Sequence, residues 1–291
     1  YRRKIDGMIY EVNVPQPPYP NGKQWQNIGE MESKGWEFEV GGDIIQNKDF
    51  TWTSSLNMSH NSGKILTMYG NNSRMDGNAM DEPGWPGDAS RIEEGAEIGA
   101  FHMWKGDFLL YNKDGEVIPA SQKSVDDKQY IGNYLPKVMM GWNNTFTYKN
   151  FDLGINMRSW IGFDVLNTYP MYLGIQGQSG AGQWNLWKPA LDDPKYKDIR
   201  GVKQLCDYFL EDGSFLKIDA ITLGYTLALS KYTKWAERLR VYGTVGNVAT
   251  ITGYSGHNPE VNITGWEGGV DKVWNCDPIV RTYTLGIQVT F

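Results

Sequence analysis

The sequence predicts an all-β protein, a transmembrane antiparallel β-barrel with long extracellular loops. Three observations carry the prediction. Several segments alternate apolar and polar residues, the connections between them alternate short and long, and 12 Trp and 17 Tyr crowd a chain whose mean hydropathy is only −0.50. A barrel strand turns one face to lipid and the other to water, so its hydropathy averages out. No stretch approaches the roughly 18 consecutive apolar residues of a transmembrane helix, which excludes a helical membrane protein.

In chain order, Tyr1 to Tyr10 fits a first strand. Trp36, Phe38 and Val40 then alternate with Glu37 and Glu39, and across the polar turn Asn47-Lys48 they meet a strand in which Phe50, Trp52, Leu56 and Met58 alternate with Thr51, Thr53, Ser55 and Asn57. Two period-two runs joined by a short polar turn read as a hairpin. A second hairpin sets Val138, Met140, Trp142, Phe146 and Tyr148 against Phe151, Leu153, Ile155 and Met157 across Lys149-Asn150, with Asn143, Thr145, Thr147, Asp152, Asn156 and Arg158 on the other face.

The next strand changes parity. Leu216 and Ile218 fall on one phase, Ile221, Leu223, Tyr225 and Leu227 on the opposite one, which predicts a β-bulge near Asp219-Ala220. A turn or short helix over Ser230 to Ala236 leads to a strand with Leu239, Val241 and Val245. The final strand is unbroken in period two, with Tyr283, Leu285, Ile287, Val289 and Phe291 against Thr282, Thr284, Gly286, Gln288 and Thr290.

The connections predicted to be long are Pro15 to Ser33, Asn61 to Pro136, Gly162 to Gly213 and Gly253 to Pro278. Loops beyond about 12 to 15 residues are uncommon in compact soluble domains, whereas outer-membrane barrels pair short periplasmic turns with long extracellular loops. With the short turns in the periplasm, Trp52, Phe146, Tyr148, Tyr225 and Phe291 form a periplasmic rim, and Trp36, Trp160 and Tyr283 an outer one. Aromatic girdles at both interfaces are what a bilayer selects.

The formal net charge of −6, with no run of Lys or Arg, excludes nucleic acid as a partner. Cys206 and Cys276 have no metal-like spacing and are either a disulfide pair or two separate small residues. His60, His102 and His257 are scattered. No G-x-S-x-G, H-E-x-x-H or phosphate-loop motif is present, and the adjacent Asp192 and Asp193 sit in a loop, so no enzymatic activity, cofactor or metal is expected.

Several stretches together resemble one family. "NIGEMESKGWEFEV" with "DFTWTSSLNMSHNSGKIL", then "YIGNYLPKVMMGWNNTFTYKNFDLGINMRSWIGFDVLN", and finally "GSFLKIDAITLGYTL", "LRVYGTVGNVATITGYSGHNPEV" and "RTYTLGIQVTF" occur in the order found in the barrels of SusC-like TonB-dependent outer-membrane transporters. The resemblance implies that residues 1–291 are the C-terminal segment of a 22-stranded plugged barrel, with no counterpart here of the plug and the earlier strands. It implies active import of a large nutrient, a glycan or an oligopeptide. The partners it implies are a SusD-like surface lipoprotein as lid, the TonB complex acting through the plug, the outer-membrane assembly machinery, and a second transporter–lid pair in a dimer. Some relatives carry a calcium-loop-like run where this chain has Asp114, Glu116, Asp126 and Asp127; these four are too few and too spread for a metal site.

Three groups of residues follow. Trp184, Trp187, Tyr254, Trp266 and Trp274 lie in extracellular segments and are candidates to stack on a ligand. Tyr283, Leu285, Ile287, Val289 and Phe291 resemble the terminal strand read by the assembly machinery. Glu37, Glu39, Asp152 and Arg158 face the lumen, where they line a conduit or hold the plug. Other readings of the same residues are a small complete barrel acting as adhesin or hydrolase, and a soluble carbohydrate-binding β-sandwich.

Overall fold

The computed structural model describes residues 1–18, 20–70, 74–77, 88–106, 110–111, 114–118, 124–174, 188, 192, 205–264, 268–272 and 279–291. Eight antiparallel strands form one sheet, here called the wall: β1 (Arg2–Asn13), β2 (Lys23–Gln46), β3 (Phe50–Met68), β4 (Val138–Tyr148), β5 (Phe151–Ile161), β6 (Phe215–Ala228), β7 (Arg238–Thr252) and β8 (Thr282–Thr290). Each pairs with its sequence neighbour, in the order β1 to β8. This up-and-down order is what alternating short and long connections produce.

The hairpins form as the alternation predicts. Phe146 lies opposite Trp52 and Leu153, and Tyr148 opposite Phe50 and Phe151, so apolar side chains line up across three strands. The bulge is present, with register shifts at Asn156/Met157 and at Ile218/Ala220. It turns Phe215 and Lys217 to the side of Asp152 and Arg158, and Leu216 and Ile218 to the side of Leu223 and Tyr225. The 11 residues of β4 and of β5 match the roughly 9 to 11 that a tilted strand needs to cross a bilayer.

One side of this sheet is apolar and uncovered. Phe38, Trp142, Leu223, Val241 and Ile287 all lie on it at 44–71% exposure, and Leu285 reaches 90%. An aqueous surface would not tolerate a continuous apolar face of this size, but hydrocarbon stabilises it. At the short-turn end, Trp52 stacks on Phe146, Phe151 meets Tyr225 at 4.7 Å, and Trp235 meets Phe291 at 5.8 Å. These are the aromatics expected at the periplasmic rim, gathered at one end of the wall. Trp36 and Tyr283 sit on the same face toward the other end.

Trp160 does not join them. It shares the parity of Asp152 and Arg158, faces inward, and packs at 5.5 Å from Phe215 and 6.0 Å from Phe163. The assignment of Trp160 to the outer lipid rim is therefore corrected.

The wall also extends further than the alternation indicates. β2 begins at Lys23 and β3 runs to Met68, so much of the segments expected as loops is strand. Beyond the bilayer both sides of a strand meet water or protein and period two is no longer imposed. The ion pairs Arg2–Glu32, Lys4–Glu30 and Lys23–Glu11 dress this extension, while Met8, Val12, Ile28, Ile65 and Met68 bury a core on one side of it with Ile92.

The long connections fold into a cap. Arg74–Gly77, Ser90–Glu93, Ala100–Met103 and Gln129–Asn133 make a small sheet, and Asp164–Asn167, Leu210–Asp212 and Val270–Asp271 make another. Between them lies the largest buried cluster, including Phe101, Met103, Trp104, Tyr134, Leu166, Met171 and Phe209. Gly269 closes this core at φ +80°, where a Cβ would lie 2.3 Å from that of Tyr134, so only glycine fits. Burial pushes the Tyr134 hydroxyl up to about 12. Most dry packing is thus extracellular, as expected of a wall whose apolar side belongs to lipid.

Candidate functional site

Between the short turns and the bulge, the inward side of the wall is mostly polar. Near the short turns, Asp152 on β5 accepts hydrogen bonds from Arg240 Nε, at 2.9 Å, and from its terminal nitrogen. The Arg240 guanidinium lies 4.8 Å over the Tyr242 ring. Two glycines make the room: a Cβ at Gly224 would meet the Asp152 carboxylate at 2.5 Å, and one at Gly286 would meet the Tyr242 ring at 2.3 Å. Midway along, the Thr222 and Thr244 hydroxyls share a 2.9 Å hydrogen bond. Glu37 and Glu39 stand opposite Ser59 and Asn57 on the same side.

At the outer end, around the bulge, two cations and two carboxylates converge. Arg158 Nε donates to Asp219 at 3.0 Å and its terminal nitrogen to Glu260 at 2.9 Å; Lys217 Nζ donates to Glu260 at 3.0 Å. Arg158, Lys217 and Asp219 belong to the wall, while Glu260 comes from the segment 253–264 that follows β7. The charges balance, which is what allows the Lys217 side chain to be only 7% exposed.

Above this cluster the cap is tied down by buried polar groups. Asn167 donates to Glu211 at 2.7 Å and to Ser255 at 3.1 Å, and Thr168 donates to the Asp271 carbonyl. His257 stacks on Tyr169 at 4.7 Å.

A cavity of about 1090 Å³ opens at the outer end of β3, between it and the cap, where Glu93, Glu94, Glu97, Asp164 and Asp212 face Lys137. Burial, with Asp212 nearby, raises the Asp164 carboxyl above its ordinary value, against the Asn133 amide that donates to it at 2.9 Å.

Of the candidate capture aromatics, Tyr254 is described, and it is buried. It is 6% exposed, its hydroxyl donates to Asp271 Oδ2 at 2.7 Å, and its ring packs with Phe163, Val165 and Phe215. It holds the cap together and is withdrawn as a ligand contact. Trp184, Trp187, Trp266 and Trp274 lie outside the described residues. So does Cys276, while Cys206 is buried in the cap core.

The terminal strand β8 has Tyr283, Leu285 and Ile287 fully presented on the apolar side, Val289 half-buried and Phe291 exposed; β8 forms one edge of the wall. Glu260, Lys217, Asp219 and Arg240 were not singled out as functional from sequence. The parity switch at the bulge places Lys217 beside Arg158, but nothing in the pattern pairs either with Glu260, which is 102 residues from Arg158. Among the described residues no three His, Cys, Asp or Glu side chains are grouped to hold a metal ion.

No family model matches the chain. Aligned over its whole length, it is 30% identical to the TonB-dependent receptor P3 of Formosa agariphila and 28% identical to the TonB-dependent receptor SusC of Bacteroides thetaiotaomicron, covering 32% and 29% of them. The solved RagAB peptide transporter matches the whole chain at a TM-score of 0.79 and 25% identity, with 32% of that chain covered. Over its whole length the chain matches a segment of SusC-like barrels. It spans about a third of the length of the TonB-dependent receptors it matches. The polar inward side described above is therefore the lumenal side of a SusC-like wall, and the cap its extracellular loops.

Proposed function

We propose that this chain supplies wall and extracellular mouth to a TonB-dependent importer in the outer membrane, one that takes up a nutrient too large for ordinary porins, a glycan or an oligopeptide. The observation that carries this reading is the likeness, over the whole chain, to the RagAB peptide transporter, on strands whose one side suits lipid and whose other side is polar and charged. A SusD-like surface lipoprotein closes the mouth, the TonB complex acts through a plug, and two transporter–lid pairs form the working dimer. In this reading residues 1–291 are the C-terminal part of the barrel. Transport is gating, with no covalent chemistry.

Within that reading, Trp184, Trp187, Trp266 and Trp274 are the ligand-facing aromatics. Tyr283, Leu285, Ile287, Val289 and Phe291 are the strand that the assembly machinery recognises, since an edge strand with free backbone groups can be captured by strand addition. The test is uptake by cells carrying the full-length gene, compared with cells lacking it and with cells lacking TonB, on glycans and on oligopeptides as sole nutrient. Loss of growth on one class in both deficient strains is expected. Uptake of that class undiminished without TonB would overturn the reading.

A further inference from the structure

Residues 253–264 cross the lumenal side of the wall as a strap. At its start, Tyr254 and Ser255 are fastened to the cap, through Asp271 and Glu211. In its middle, Asn258 and Asn262 satisfy the strap's own amides at Glu260 and Thr264. Val261 rests on the cluster of Phe163, Phe215 and Tyr254. Among the described residues, the hydrogen bonds between 255–264 and the wall strands all run through one side chain, Glu260, to Arg158 and Lys217.

We infer that Glu260 is a latch: its carboxylate, held by Arg158 and Lys217, keeps the strap folded across the lumen at the outer end of β5 and β6, and its release opens that part of the mouth. The chemistry gives two discrete states. Latched, the two cations face two carboxylates and Lys217 is buried. Unlatched, two cations share the one carboxylate of Asp219, which already accepts from Arg158 and lies 4.0 Å from Lys217 Nζ, and water must reach Lys217 to make up the lost hydrogen bond. The strap can part from the wall without unfolding, since its turns close their own hydrogen bonds, while the cap keeps hold of it through His257 on Tyr169, Ile263 on the cap core and the Gly269 N–H donating to the Asn262 carbonyl. This role as a mouth element rests on the importer reading, but the latch is measurable without transport.

The test is hydrogen exchange of the peptide covering 256–264 in the full-length protein in outer-membrane vesicles. In E260Q, which keeps the shape and removes the charge, exchange in this peptide should rise about tenfold or more, the loss expected when charge-assisted hydrogen bonds to a buried cation are broken. Exchange in β4 and β5, residues 138–161, should not change. R158Q added to E260Q should add little, since both act on one contact. If E260Q does not assemble, R158Q alone takes its place, with the same two outcomes.

Strap exchange unaltered within threefold while the wall is intact would overturn the latch, as would full additivity of the two substitutions. Neither result depends on TonB or on a nutrient, so failure of the latch and failure of the importer reading are told apart.

Discussion

Asn144 lies on the lipid side of β4 yet is only 5% exposed, because two indoles enclose it and its neighbour. Trp52 Nε1 donates to Asn144 Oδ1 at 3.0 Å, Trp142 Nε1 donates to Ser54 Oγ at 2.9 Å, and Trp52 lies stacked on Phe146. In hydrocarbon no water can replace a lost partner. W52F keeps the ring and removes the donor, leaving the Asn144 oxygen unmatched, at a cost of about 1–3 kcal/mol. N144L removes the acceptor and costs about 1 kcal/mol through the stranded indole N–H. W52F/N144L removes both and should be less destabilised than the sum by about 1–2 kcal/mol, since replacing both partners by apolar groups is nearly neutral. The assay is denaturant unfolding of the full-length protein folded into phosphatidylcholine vesicles. A coupling below about 0.3 kcal/mol, the size at which distant sites already add, would refute the claim that these groups satisfy each other in a dry environment.

L285R puts a guanidinium on the most exposed apolar position of β8 and should cost about 2–4 kcal/mol in the same unfolding measurement, against under about 1 kcal/mol for T284R on the lumenal side. G224A drives a Cβ into the Asp152–Arg240 pair and should cost about 1–2 kcal/mol, whereas G154A, with nothing within 4 Å of its Cβ, should stay within about 0.5 kcal/mol. Because the folded state raises the Asp164 carboxyl, chiefly by burial, it holds that proton more tightly than the unfolded chain does. The local contribution to cap stability is then greatest below the ordinary carboxylate range and falls as pH rises through the window up to the raised value. Protection against hydrogen exchange in residues 129–133 and 164–167, corrected for the intrinsic pH dependence of amide exchange, should therefore fall as pH rises from the ordinary carboxylate range through the raised value, and D164N should flatten that fall.

What could be read in the sequence was decided by where the bilayer imposes period two. The β4–β5 hairpin was legible at its turn and through most of both strands, because apolar and polar residues alternate from Val138 to Met157 with Asn144 as an exception and Lys149-Asn150 interrupts them; Lys149 adopts φ +52° in the turn, and β5 runs on to Ile161. The bulge at Asp219 was legible as a change of parity. The outer halves of β2 and β3 were not, because Trp25, Ile28 and Met31 are spaced by three across register shifts near Gly29 and Met31.

Trp160 has the parity of Asp152 and Arg158, so its side is set by the alternation and not by its being an aromatic near the outer end of a strand. The cap core and the Glu260 latch rest on contacts between distant loops, for which a linear pattern holds no information. Tyr254 shows the same limit. Its chemistry suits ligand stacking and core packing equally, and only its burial decides.

β8 presents Leu285 and Ile287 on one side and Thr284 and Gln288 on the other. Spin labels at Leu285, Ile287, Thr284 and Gln288 of the full-length protein in bilayers, read by collision with oxygen and with a water-soluble nickel complex, test it directly. Labels at 285 and 287 should collide mainly with oxygen, and those at 284 and 288 mainly with nickel. Equal collision profiles at all four positions would contradict a wall with lipid on one side and a wet lumen on the other.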